Sequence, residues 1–214
     1  MFKKTFKKNS GIYIIIMFCV IFTTDLSAQN RFKAGVVAGI NVAQIRGDDT
    51  GGFNKAGLVA GIRAITILQE KMDVSLELLY SQRGSRTNKA EENLFRDVEI
   101  DLNYIEVPVL FNYKDWLNEE DNFYHVQASI GFAYSRLISA AAAGFTNEHE
   151  NEIENFNDDD FSFVVGAEYF ITPKFSISGR WATSINLLYD NEKHNPNING
   201  LRGHFLSFRT NYLF

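Results

Sequence analysis

The feature that most constrains this chain is an alternation of apolar and polar side chains with a period of two residues. It recurs in eight segments and continues to the end of the sequence. In the last segment the apolar members are Leu206, Phe208, Tyr212 and Phe214, and Ser207, Arg209 and Asn211 lie between them. Successive side chains of a β-strand point to opposite faces, so a period of two predicts strands. Repeated segments of this kind are typical of transmembrane β-barrels, in which lipid-facing and lumen-facing residues alternate.

The spacing of the segments predicts the topology. We expect strands at 31–46, 56–68, 72–83, 98–113, 122–137, 161–171, 175–189 and 203–214. Long polar connections are expected at 47–55, 84–97, 138–160 and 190–202, and shorter ones at 69–71, 114–121 and 172–174. Long loops at one end and short turns at the other are typical of outer-membrane barrels. The sequence therefore predicts an all-β fold, an eight-stranded antiparallel up-and-down transmembrane β-barrel with its long loops outside the cell.

The alternation also assigns each side chain to the outer wall or to the lumen. In the third strand one face carries Met72, Val74, Leu76, Leu78 and Tyr80, and the other carries Asp73, Ser75, Glu77, Ser81 and Arg83. Hydrocarbon cannot solvate polar groups, so the apolar face is expected to point outward. In the fourth strand the apolar positions change from even to odd numbers after Tyr104. This change predicts a bulge near Tyr104–Ile105 that switches the faces of the strand.

Among the charged side chains of the predicted lumen face, six are candidates for a charge network: Arg63, Glu77, Glu106, Glu168, Arg180 and Arg209. The interior of an eight-stranded barrel is just wide enough for side chains to fill it. Unpaired charges are costly there, so we expect arginines to pair with glutamates. The hypothesis is a lumen plugged by ion pairs; the alternative is a gated channel or proton path.

The first 28 residues have the layout of a secretory signal peptide. A basic start is followed by an apolar run at 12–24 and by Leu26-Ser27-Ala28. The run is shorter than the roughly 20 residues that a membrane-spanning helix needs. We therefore expect a signal peptide at 1–28 and a barrel domain at 29–214. Cys19, the single cysteine, lies in the signal, so the mature chain is expected to have no disulfide and no thiolate metal site.

The remaining residues give little sign of chemistry. The chain is acidic, with a formal net charge of −5, and lacks the basic footprint of a nucleic-acid-binding protein. The four histidines, which are His125, His149, His194 and His204, have no metal-ligand spacing. Parity places His125 in the lumen, and it places His204 and Ser207 on opposite faces. The loop 145–160 holds seven carboxylates that could bind a divalent cation, but a solvated surface loop is favoured. We expect no enzyme, cofactor or metal site.

Several segments resemble a known family. They are Gly35–Asn41, Tyr104–Tyr113 with its Tyr-x-Glu-x-Pro pattern, the terminal Phe214, and the Leu-Ser-Ala-Gln end of the signal. Over residues 30–214 the chain resembles the PorT-like outer-membrane β-barrel family of Bacteroidetes, that is, the outer membrane protein β-barrel domain. The resemblance implies an integral outer-membrane protein without catalytic or binding residues, and the founding member of the family is tied to protein secretion.

Three functions remain open from the sequence. The first is a structural, partner-docking or secretion-accessory role, in which a protein partner would bind loops 84–97, 138–160 and 190–202. The second is a small-solute or ion channel. The third is a lipid-modifying enzyme, which would need a serine or aspartate within hydrogen-bonding reach of His125 or His204.

Overall fold

Eight antiparallel strands close into a barrel in the computed structural model, which describes residues 31–46, 52–86, 99–143, 157–188 and 201–214. The strands are β1 Phe32–Arg46, β2 Lys55–Gln69, β3 Met72–Arg86, β4 Glu99–Asn118, β5 Phe123–Ala143, β6 Asp159–Phe170, β7 Phe175–Ser184 and β8 Arg202–Leu213. Each strand pairs with the next, and β8 pairs with β1. The predicted eight-stranded antiparallel barrel is confirmed. The predicted signal segment, 1–28, lies outside the described residues.

Exposure along the strands is the reverse of that in a water-soluble protein. Ile130 is 49% exposed on the outer wall, whereas the neighbouring Ser129 is 7% exposed and faces the lumen. Many other large apolar side chains are similarly exposed, among them Leu76, Val109, Phe132, Ile177 and Phe208. Exposed apolar surface on this scale marks an interaction surface, and a closed sheet presents it as a continuous band. The band fits hydrocarbon as its solvent. Among the described residues, no helix has the length and apolar character needed to cross a bilayer.

The β4 and β5 strands are longer than the sequence predicted. They contain 20 and 21 residues, because their pairing continues beyond the barrel wall at both ends. At one end Lys114 pairs with Gln127, and the ladder runs on to Asn118, so the connection predicted at 114–121 shrinks to 119–122. At the other end Ala143 pairs with Glu99. The first six residues of the predicted loop 138–160 are therefore strand.

The other loop boundaries also move. The β3 strand continues to Arg86, inside the predicted loop 84–97. The β7 strand ends at Ser184, five residues before its predicted end. Beyond it, the side chain of Asn186 accepts a hydrogen bond from the N–H of Phe161 at 2.8 Å and donates one to the carbonyl of Asp159 at 2.7 Å. After one further backbone bond, from the N–H of Ile185 to the carbonyl of Phe161, these side-chain bonds take over from the ladder.

The predicted switch of faces within β4 is wrong. Its even-numbered residues stay on the lumen side from Leu102 through Tyr104 to Leu110. The β4–β5 register does shift at the predicted level, between Asn103 and Tyr104, but the extra residue is Ile138 of β5. The prediction failed because it assumed that every apolar side chain faces lipid. At this level the lumen itself is lined by apolar residues.

The two ends of the barrel differ. We call the end with the short connections at 70–71, 119–122 and 171–174 the turn end, and the opposite end the loop end. At the turn end the N–H of Phe214 donates a hydrogen bond to the carbonyl of Ala34. In outer-membrane barrels short turns face the periplasm and long loops face the outside.

Candidate functional site

Ion pairs link eight buried charged side chains in the lumen, four arginines and four carboxylates, apart from the buried Asp73, which pairs with Lys114. We call these eight the lumen network: Arg63, Arg83, Arg180, Arg209, Glu77, Glu106, Glu168 and Asp160. None of them is more than 6% exposed. The set contains all six residues of the charge network expected from the sequence, together with Arg83 and Asp160. Its formal charges cancel.

Glu77 lies at the centre of the network, where three arginines meet it. Arg180 donates to both carboxylate oxygens of Glu77 at 2.7 Å, in the two-pronged arrangement that suits a guanidinium group. Arg63 Nε and Arg209 Nη1 each lie 3.3 Å from an oxygen of the same carboxylate. The β2, β3, β7 and β8 strands are thereby joined through one acidic side chain.

Glu168 of β6 is the carboxylate of the network that lies nearer the turn end. Arg63 Nη1 donates to its two oxygens at 2.8 and 2.9 Å. Neutral donors complete its coordination, since Ser176, Asn211 and Gln127 bond to the same carboxylate at 2.6, 3.2 and 3.2 Å. A buried carboxylate needs such partners because water is not available to solvate it.

Arg83 forms the part of the network nearer the loop end. It donates to Glu106 at 2.5 Å and to Asp160 at 2.9 Å. Its guanidinium carbon also lies over the rings of Phe205, at 3.9 Å from the centroid, and Tyr104, at 5.0 Å. Cation–π contacts are strengthened by desolvation. The arginine is held both by charge and by aromatic packing.

A glycine makes room for the central pair. Arg180 on β7 pairs with Gly166 on β6. A Cβ atom at position 166 would lie 2.7 Å from Cγ of Arg180, which is closer than carbon atoms approach without displacement. The glycine therefore allows the Arg180 side chain to cross the lumen to Glu77.

Apolar side chains fill the lumen at the loop end. This apolar plug consists of Ile45, Ile100, Leu102, Tyr104 and Leu201. The cavity beside it, next to Arg83 and Asp160, has a volume of about 10 Å³. That is room for about one water molecule. The lumen is thus asymmetric, with the apolar plug at the loop end and the lumen network below it.

The acidic segment 145–160 is only partly described. Asp158 and Asp159 each form an ion pair with Arg136, at 2.7 and 2.8 Å, and Asp160 belongs to the lumen network. These three carboxylates already have arginine partners. The other four carboxylates of the segment lie outside the described residues, as do His149 and His194. In the described ranges no group of three or more potential ligands could hold a metal ion.

Phe123, which packs against buried side chains inside the barrel, lies 4.7 Å between ring centroids from His125, so the predicted lumen orientation holds for only part of the surroundings of His125. The His125 ring also stacks on Tyr169 of the outer wall, with centroids 5.6 Å apart, and meets the edge of Trp116 at 5.8 Å. Its Nδ1 lies 2.9 Å from the carbonyl oxygen of Phe170. His125 therefore lies at the rim of the barrel, between the lumen and the outer wall.

His204 lies on the outer wall near the loop end. Its Nδ1 is 2.8 Å from the hydroxyl of Thr183, and its ring stacks on Trp181. Ser207, by contrast, donates a hydrogen bond inside the lumen to Asn41 at 2.7 Å. His204 and Ser207 therefore lie on opposite faces of β8, as parity predicts.

Outside the barrel wall the charges form ordinary surface pairs. Lys71, in the β2–β3 turn, lies 3.2 Å from Asp115. The hydrogen bond that Lys71 donates to this carboxylate raises the pKa of its ammonium group. The pair is exposed, so it serves as a solvated counterpart to the buried pairs of the lumen.

One family model matches the sequence, and several solved structures are similar to the barrel. The sequence model of the outer membrane protein beta-barrel domain matches residues 14–214. Neisserial surface protein A has a similar structure, with a TM-score of 0.50 and 13% identity over 86% of this chain and 97% of that chain. At this identity the likeness shows the fold alone.

Two further solved structures are similar over most of their length. Ail, the attachment invasion locus protein of Yersinia pestis, gives a TM-score of 0.46 and 10% identity over 86% of this chain and 99% of that chain. OprG from Pseudomonas aeruginosa gives a TM-score of 0.41 and 10% identity over 86% and 94%. No curated protein matches the sequence.

Replacing Glu77 with glutamine tests the centre of the lumen network. The substitution keeps the shape of the side chain but leaves Arg63, Arg180 and Arg209 without their shared counter-charge. We expect the free energy of unfolding, measured by urea titration from lipid vesicles, to fall by about 3–5 kcal/mol. The matched control is Asp115→Asn in the exposed pair with Lys71, which should cost about 0–1 kcal/mol. Equal effects of the two substitutions would contradict the central role of Glu77.

Proposed function

We infer the role of this protein from its family and its lumen: the chain belongs to the outer membrane protein beta-barrel domain family. It is therefore an integral protein of the outer membrane, with its apolar wall in lipid. Within that family, we propose that it is a non-conducting barrel with a structural or partner-docking role.

The observation that carries this proposal is the filling of the lumen. Charged side chains from opposite walls meet at Glu77, and apolar side chains close the space between Arg83 and the loop end. A channel for ions or small solutes needs a continuous path lined by groups that replace water. The apolar plug offers a single such group, the buried hydroxyl of Tyr104. Ion pairs close the middle of the lumen and apolar packing closes its loop end. This double closure supports a barrel that does not conduct rather than a channel.

The length of β4 and β5 supports a docking role at the loop end. A tilted transmembrane strand needs about 9–11 residues, whereas these strands have 20 and 21. Pairing between β5 and β6 ends at Arg136, but β5 continues beside β4 to Ala143. This raised part of the sheet, in which β3 also pairs with β4 as far as Arg86 and Glu99, leads into the polar segments of the loop end. We propose that a protein partner binds there, through loops 84–97, 138–160 and 190–202.

The finer family assignment is also a proposal. The Tyr104–Tyr113 segment, with Glu106 in the lumen network and Pro108 beside it, supports a place among PorT-like proteins of Bacteroidetes. Such a place would fit a secretion-accessory role and removal of residues 1–28 as a signal peptide. An enzymatic role has less support, because His125 is held by a backbone carbonyl and Ser207 faces away from His204.

Conductance across planar bilayers tests closure of the lumen. We expect the folded, purified protein to insert without producing discrete current steps, because the apolar plug and the lumen network leave no continuous aqueous path. An open porin in the same bilayers is the positive control, and heat-dependent gel mobility verifies folding. Reproducible current steps from the wild-type protein would contradict the proposal and favour a channel.

Photo-crosslinking in intact cells tests docking at the loop end. A photoreactive residue in place of Ala141, on the raised part of β5, is expected to give a discrete protein adduct. The matched control replaces Ile130 on the same strand, which faces lipid and should give no such adduct. A docking role for the raised part of the sheet is contradicted if Ala141 yields no adduct, or if both positions yield the same one.

A further inference from the structure

The barrel contains a second cavity, at the turn end of the lumen. We call it the turn-end vestibule. It has a volume of about 370 Å³ and is bordered by Lys33, Ile65, Lys114, Gln127 and Phe170, among others. Small-molecule pockets have volumes of about 300–1,000 Å³, so the vestibule has room for a small ligand. The lumen network above it makes the cavity a blind pocket rather than the entrance to a pore.

One side of the vestibule is apolar. Ile65, Phe170 and Leu213 form a buried cluster, and Phe123 packs against it. These side chains come from four different strands and converge inside the barrel, away from the lipid-facing wall. An apolar group of a ligand would lose its contact with water by resting on this surface.

The mouth of the vestibule carries two lysines. Lys114 Nζ lies 2.5 Å from a carboxylate oxygen of Asp73, so Lys114 already has a counter-ion. Lys33 interacts electrostatically with both Lys114 and Asp73. It forms no ion pair within the part of the chain that the structure describes. Glu70 also borders the cavity, but its carboxylate accepts a hydrogen bond from Tyr124 at 2.8 Å. Lys33 is therefore the cation left for an acidic ligand.

A buried acceptor completes the set. Gln127 is 0% exposed, and its Nε2 donates to Glu168 at 3.2 Å, which fixes the orientation of the amide. Its Oε1 has no hydrogen-bond partner among the described residues. Burying a carbonyl oxygen without a hydrogen-bond donor costs free energy, and an N–H group of a ligand would supply the missing donor.

We propose that the turn-end vestibule binds the C-terminal residue of a peptide. The carboxylate would pair with Lys33, an apolar side chain would rest on the Ile65–Phe170–Leu213 cluster, and the backbone N–H would donate to Gln127 Oε1. A C-terminal apolar residue carries all three groups within one amino acid. Since short turns face the periplasm in this class of barrel, the peptide would come from a periplasmic protein or chain end.

Fluorescence anisotropy of a dansylated tripeptide, dansyl-Gly-Phe-Leu, tests this proposal on the full-length mature barrel in lipid nanodiscs. The free carboxylate is expected to bind roughly tenfold or more tightly than the C-terminal amide, because a charge-assisted hydrogen bond is lost in the amide. Lys33→Gln should weaken binding of the acid by a similar factor. Lys71→Gln, at the exposed turn outside the vestibule, is the matched control and should leave binding unchanged.

Three results would overturn the proposal. They are equal binding of acid and amide, unchanged binding to a folded Lys33→Gln barrel, and competition by octanoate as effective as that by N-acetyl-leucine. The last would assign the site to a fatty acid, which has a carboxylate and an apolar chain but no N–H. None of these results bears on conductance, so failure of this inference and failure of the closed-barrel proposal are distinguishable.

Discussion

Closure of the β1–β8 ladder is the constraint on which the rest of the structure depends. Hydrocarbon cannot hydrogen-bond to a free strand edge, so a sheet in a membrane must pair every strand on both sides. Twelve residue pairs, from Gly35 with Leu213 to Arg46 with Arg202, remove the last edge. Once the sheet is closed, each residue faces either lipid or the lumen. The exposed apolar wall and the buried polar interior follow from that division.

The narrow lumen imposes the second constraint. Charges in a space of low dielectric interact strongly, and an unpaired one is expensive. The protein meets this cost with equal numbers of arginines and carboxylates, arranged around Glu77 and Arg83. Hydroxyl and amide side chains such as Ser176 and Asn211 satisfy the remaining oxygens of Glu168. The apolar plug above and the vestibule below then give the two ends of the lumen different chemistry.

Sequence parity was sufficient for the strand number, the topology and the inward orientation of Glu77 and Arg180. It was not sufficient where the lumen is apolar, as at Leu102 and Tyr104, because parity records which residues share a face but not what that face meets. It also missed Asp160. That residue ends an acidic run that reads as a loop, and only the position of Arg83 across the lumen gives it a partner. The vestibule lay beyond sequence reasoning, since its residues come from strands far apart in the chain.

Quenching of tryptophan fluorescence by lipids with brominated acyl chains tests most directly whether the outer wall meets hydrocarbon. The chain has two tryptophans, so Trp116→Phe leaves Trp181 as the single reporter. Trp181 is 38% exposed on the outer wall of β7. Strong quenching by brominated chains, with little quenching by aqueous iodide, is the result expected of a transmembrane barrel. Quenching by iodide and not by brominated lipid would contradict it.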